Sequence, residues 1–224
     1  MALAIDAVTN AAGSGAGPFT WAHTCAGSDR VLLVCISYYD SGDTVSAVTY
    51  NSVALTVVSS STVSNGQYTS TMYRLIAPAT GSNTVSVTFT GSVFAFGAGA
   101  VSFTGADQSS PLGTAATNTG TNTTPTVTVT SASGEIVVDA LTIVHSGTLA
   151  VDGSQTQRWN ASAGGFIKYG CSTKSGGTTT TMSWINSTSQ VWAIAGVAVK
   201  PVSGGGGSFQ SAWTRGSNVI LGVA

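Results

Sequence analysis

Charge is the scarcest feature of this sequence. Only 7% of its residues are Asp, Glu, Lys or Arg, and the formal net charge is −1; ordinary globular chains carry about 25% charged residues. There is no basic surface to attract nucleic acid and no polybasic patch for a membrane. No stretch approaches the roughly 20 uninterrupted apolar residues that a membrane-spanning helix needs. The opening "MALAIDAVTNAAGSGAG" lacks a basic start and places Asp6 inside its short apolar run, so it reads as a poor signal peptide. Cysteine is limited to Cys25, Cys35 and Cys171, with neither CxxC nor zinc-type spacing. Buried free thiols are the expected state; a Cys25–Cys35 bridge would need an oxidising compartment.

Catalytic chemistry is equally thin. His23 and His145 are the only histidines. Serines are so common that a Ser-His-Asp match carries no information, and "AGSGAG" lacks the strand-to-helix setting of a nucleophile elbow. Asp29, Asp40, Asp43, Asp107, Glu135 and Asp152 fall in turn signals, where carboxylates bond to their own backbone. In "YYDSGDT", Asp40 and Asp43 read as a turn, since calcium needs six or more oxygens. The sequence therefore predicts no enzyme, no metal and no cofactor.

What is present is β-structure. Thr and Val suit pleated strands, while Gly and Ser supply turns. "RVLLVCISYY" and "FAFGAGAVSFTGA" are continuous apolar runs, read as strands buried on both faces. "NTVSVTFTGS" alternates, "SAVTYNSVALTVVSSS" reads as two short strands around a turn at Asn51-Ser52, and "TPTVTVTSASGEIVVDALTIV", "GTTTTMSWINST" and "QVWAIAGVAVKPV" continue the pattern. The expected fold class is all-β, an antiparallel β-sandwich of jelly-roll type. Laid side by side, the two halves share an order of strand and turn signals. This divides the chain into an N-terminal arm (1–17), a sandwich (18–201) with pseudo-repeat halves 18–106 and 126–201, a Gly-rich hinge (202–208) and a C-terminal arm (209–224). Both arms are expected to be flexible.

The stretches "VTYNSVALTVV", "MYRLIAPATGSNTVSVTF", "AVSFTGADQSSPLGT", "TPTVTVTSASGEIVVDAL" and "QTQRWN" resemble a β-sandwich module of phage virion proteins and phage-like bacterial surface proteins. The resemblance spans 18–201. It implies a structural or adhesive role, with no catalytic residues to carry over. The first reading is a non-catalytic structural virion protein located in the phage particle, a capsid decoration or cement protein or a tail component, acting as a homo-oligomer (a trimer) with partners such as a major capsid protein.

Two sets of residues are singled out. Phe209, Trp213, Arg215, Val219, Ile220 and Leu221 form an assembly arm able to add a strand to an exposed edge. A charge-poor sandwich leaves such edges undefended. Trp159, Tyr38, Tyr39 and Tyr68 are candidate sugar-stacking residues. They serve the alternative reading of a carbohydrate- or receptor-binding adhesin module of a tail fibre. Trp184 and Trp192, in alternating strands, are expected in the core.

Overall fold

A computed structural model describes residues 2–40 and 42–202. The hinge from 203 onward and the assembly arm lie outside the described residues.

The first half contains ten strands: β1 (Ala4–Gly15), β2 (Phe19–Cys25), β3 (Val31–Tyr39), β4 (Val45–Tyr50), β5 (Val53–Ala54), β6 (Thr56–Val57), β7 (Val63–Asn65), β8 (Tyr68–Ile76), β9 (Gly81–Phe89) and β10 (Val93–Thr104). The second contains eight: β11 (Ala116–Asn122), β12 (Thr126–Thr130), β13 (Ile136–Val144), β14 (Leu149–Val151), β15 (Thr156–Ala163), β16 (Ile167–Ser175), β17 (Thr179–Asn186) and β18 (Gln190–Val199). The described residues contain no helix. The fold is all-β and antiparallel.

Each half builds one large and one small sheet. The first large sheet runs β1-β10-β3-β8-β6, with β7 also on β8, and its small sheet runs β2-β9-β4-β5. The second pair runs β11-β18-β13-β16-β15 and β12-β17-β14. The connection order is the same in both halves, with β1, β3, β8 and β10 matched by β11, β13, β16 and β18.

Three apolar interfaces stack these sheets into four layers. Leu32, Val34 and Ile36 of β3 pack with Val85 and Val87 of β9 between the first large and small sheets. Val137, Leu141 and Ile143 of β13 pack with Met182 and Trp184 of β17 in the second half. Val31, Leu33 and Cys35 of β3 meet Val138 and Ala140 of β13 and Tyr169 and Cys171 of β16 between the two large sheets. The hydropathy patterns follow from this order. β3, β10, β13 and β18 are inner-layer strands buried on both faces and read as unbroken apolar runs. β9, β12 and β17 are outer-layer strands and alternate, with mostly Thr and Ser, and Ile185 in β17, towards solvent.

The central interface also carries polar links. Ser37 Oγ donates to the Leu141 carbonyl (3.0 Å), Ser70 Oγ to Ala140 (2.8 Å) and Thr142 Oγ1 to Thr69 (2.7 Å). All three are buried, where an unmade bond would leave a carbonyl or hydroxyl without a partner. They fix how one large sheet sits on the other.

Two segments differ from the sequence reading. The expected N-terminal arm is strand β1, paired with β10 from Ala4↔Thr104 to Gly15↔Val93. Its Ala, Gly and Asn residues lack a strand-like hydropathy pattern because this edge strand is nowhere fully buried. The segment 107–125 contains β11, paired with β18, so the second half begins before residue 126. The turn at Asn51-Ser52 lies between β4 and β5, with both residues at positive φ (49° and 62°), the geometry of a tight hairpin.

Candidate functional site: an aromatic platform on the central seam

Tyr39 closes β3 and is the register partner of Tyr68, which opens β8. Their rings lie 4.9 Å apart, centroid to centroid. Phe94, at the start of β10, lies 5.7 Å from Tyr39. Phe166 comes from the other half, in the turn between β15 and β16, and stacks on Tyr39 at 5.3 Å with 13° between planes. Phe94 and Phe166 are 6.2 Å apart. They keep 51% and 44% of their surface exposed, while Tyr39 and Tyr68 are half-buried beneath.

Gly164 permits this closure. It sits at φ +59°, and a Cβ there would come within 3.0 Å of the Phe94 carbonyl oxygen. Only a residue without a side chain lets the β15–β16 turn approach β10 this closely. Among the described residues, the charged side chains beside the platform are engaged elsewhere. The Asp40 carboxylate accepts the backbone N–H groups of Gly42 (2.8 Å) and Asp43 (2.7 Å), and Lys168 reaches the Gly147 carbonyl. Burial, and then the neighbouring Tyr39, raise the Tyr68 phenol above its ordinary pKa. Tyr68 therefore stays a neutral O–H. The result is an uncharged platform able to stack on a flat apolar face such as that of a sugar ring.

The sequence candidates divide here. Tyr39 and Tyr68 belong to the platform. Tyr38 is 5% exposed and points the other way, edge-on to Phe89 at 5.2 Å in the first sandwich core. Period-two alternation sends neighbouring strand residues to opposite faces. Trp159 is also 5% exposed. It lies in β15, not in a loop, and a bulge between Gln157 and Trp159 turns its ring into the central interface. Neither Tyr38 nor Trp159 can meet a glycan. Trp184 and Trp192 are core residues. Phe94 and Phe166 carry no sequence signal for this role, because turns far apart in the chain bring them together.

Three further groups complete the chemistry. The cysteines are buried free thiols; Cys25 lies in the first sandwich and Cys35 in the central interface, so they cannot pair. His23 is buried in β2. Its Nδ1 lies 2.9 Å from Thr9 Oγ1, Nε2 has no partner, and burial lowers its pKa to about 4. Asp139 stands out in the apolar run of β13. Its carboxylate is closed from solvent and accepts Ser172 N–H (2.5 Å), Ser172 Oγ–H (2.8 Å) and Trp184 Nε1–H (2.7 Å). Burial pushes its pKa up to about 7 against the pull of those donors. Sealed in a core, Asp139 ties β13, β16 and β17 together. Among the described residues, no group of three or more His, Cys, Asp or Glu side chains is placed to hold a metal ion.

Compared with protein-family models, curated proteins and solved structures, the chain matches none.

Proposed function

We propose that this chain is a non-catalytic structural protein of a phage particle. It decorates or cements a capsid, or builds part of a tail, and assembles with copies of itself. The observation that supports this most directly is the state of the sheet edges. β1 pairs only with β10 and β11 only with β18, leaving one side of each strand without a strand partner among the described residues. β11, "ATNTGTN", carries no charge, and β1 carries only Asp6. Asp6 is turned inward at a bulge, accepting Ala26 N–H and Ser102 Oγ–H. From Ala7 to Gly13, β1 offers a regular, uncharged edge of the kind that recruits another strand. In this reading the segment with Phe209, Trp213 and the apolar end "VILGVA" supplies that strand to a neighbouring copy.

The test is the solution mass of the full chain, of a chain ending at Ser203, and of a chain with Ala12→Lys and Thr119→Lys, one exposed position on each edge. A discrete oligomer for the full chain and monomers for the other two support the reading. Equal masses for all three would sink it.

The aromatic platform favours a second reading, a carbohydrate- or receptor-binding module. Here Phe94→Ser with Phe166→Ser abolishes glycan binding and leaves the oligomer unchanged. Retained binding by that variant removes this reading.

A further inference from the structure

At the opposite end of the central seam from the aromatic platform, a cavity of about 420 Å³ opens between the two halves. Its first wall is Val58, Ser59 and Ser60 with Arg74 of β8; its second is the connecting segment from Ser110 to Thr114 with Lys200. A neighbouring cavity of about 510 Å³ shares Gly113, Thr114 and Lys200.

Two cations, Arg74 and Lys200, line this space. Arg30, Arg158, Lys168 and Lys174 each donate a side-chain hydrogen bond to a carbonyl or hydroxyl. Among the described residues, the Arg74 and Lys200 side chains have no hydrogen-bond or ion-pair partner. No acid lines this cavity among the described residues, and the carboxylates close by bond to their own turns. Asp107 accepts the Ser109 and Ser110 N–H groups (2.7 and 2.9 Å), and Glu135, in the neighbouring cavity, accepts Ala132 N–H (2.9 Å). In a chain this poor in charge, the cavity is lined by two cations and by no acid among the described residues.

The walls are fixed in advance. Val58 N–H donates to the Met72 carbonyl (2.8 Å), and Ser61 both donates to and accepts from Met72 through its hydroxyl (3.2 and 3.1 Å). Between these anchors Ser60 is held at φ 62°, a region that non-glycine residues seldom occupy. Opposite, Gly113 N–H donates to Ala198 (2.9 Å) and Lys200 N–H to Pro111 (2.8 Å). Ser59 and Ser60 on one wall and Ser110 and Thr114 on the other line the same cavity. Preformed cavities with a few converging polar groups are the usual setting of small-ligand sites.

We propose that this cavity binds an oxyanion, a carboxylate or phosphate group. Arg74 grips it in fork geometry, Lys200 provides a second charge from the other half, and the hydroxyls of Ser59, Ser60, Ser110 and Thr114 engage the remainder of the ligand. The site goes beyond the assembly reading and does not depend on it.

The experiment is calorimetric titration of the full chain with inorganic phosphate, with glucuronate and with glucose, at low and high salt. Amide shifts are recorded in parallel. The expected result is saturable binding of at least one anion, none of glucose, and shifts centred on 58–60 and 110–114. Arg74→Gln and Lys200→Gln should each weaken binding by about tenfold or more, with melting temperatures unchanged. Phosphate alone identifies a phosphate ligand; glucuronate binding identifies an acidic sugar. Absence of saturable binding for both anions overturns the proposal, as does affinity unchanged in both variants. Should a variant fail to fold, the wild-type amide shifts decide by their location.

Discussion

The indole of Trp159 on β15 occupies the space that a side chain on Gly99 of β10 would fill: a Cβ there would lie 2.6 Å from the ring. Two positions away on the same face of β10, Gly97 stands in the same relation to Tyr169, at 2.3 Å. The glycines of "FAFGAGAV" are thus slots in the first large sheet, filled by aromatic rings of the second. Gly99→Ala forces the ring or the sheet to move and should destabilise the fold by about 1–3 kcal/mol. Trp159→Ala leaves a cavity and should cost about 3–5 kcal/mol. Denaturant unfolding measures both, and in the double variant the losses should fall short of additive because the partners touch. Full additivity would show that the two positions are not coupled.

Stability against pH should reveal two opposed titrations. Asp139 has a folded pKa raised to about 7 from an ordinary 3.8, so the folded state holds the proton more tightly than the unfolded one. Its contribution is greatest below the unfolded value and is lost as pH rises from about 4 to 7, at about 1.4 kcal/mol per pH unit. His23 has a folded pKa lowered to about 4 from 6.5. Its contribution runs the other way, present above 6.5 and lost as pH falls towards 4. Between pH 4 and 6.5 the two slopes offset each other. Asp139→Asn should therefore turn a flat melting curve against pH into one that rises with pH, and His23→Gln should produce one that falls. Thermal melts from pH 4 to 8 on the three proteins check this; parallel curves would rule out the assignment.

The thiols should be silent in the folded protein. Cys25, Cys35 and Cys171 are all buried and unbonded. Burial, and then the adjoining Cys35, push the Cys171 thiol well up, away from the reactive thiolate. A chromogenic disulfide reagent at pH 8 should label none of the three until denaturant is added, and then all three. Fast labelling of any cysteine in the native protein would contradict the packing of that layer.

Much of the layering was legible in the sequence, because burial on one face or on two leaves different periods. "RVLLVCISYY" announces an inner strand and "NTVSVTF" an outer one. β1 and β11 were not legible: half-exposed edge strands of Ala, Gly, Asn and Thr carry no period. Trp159 misled because the polar stretch "QTQRWNASAGG" reads as a loop, whereas it folds as strand β15 with the indole buried. Tyr39 and Tyr68 could be singled out as aromatics, but Phe94 and Phe166 join them only through the packing of the two large sheets. Asp139 is visible as an acid within an apolar run, yet its donors, Ser172 and Trp184, sit on strands far along the chain. Arg74 and Lys200 look like ordinary surface cations until the fold sets both on one cavity with no side-chain partner among the described residues.

The shared central interface bears on how the chain comes apart. β3 and β13 each lean on a small sheet with one face and on each other with the opposite face, so neither sandwich owns a complete core. Releasing one half would bare a broad sheet of Val, Ala and Gly on the other, with Ser37, Ser70 and Thr142 losing their carbonyl partners. The duplicated plan therefore does not yield two independent folding units. Heat or denaturant should find a single cooperative transition, and a protease that nicks the connection between β10 and β11 should leave two fragments that still migrate as one particle.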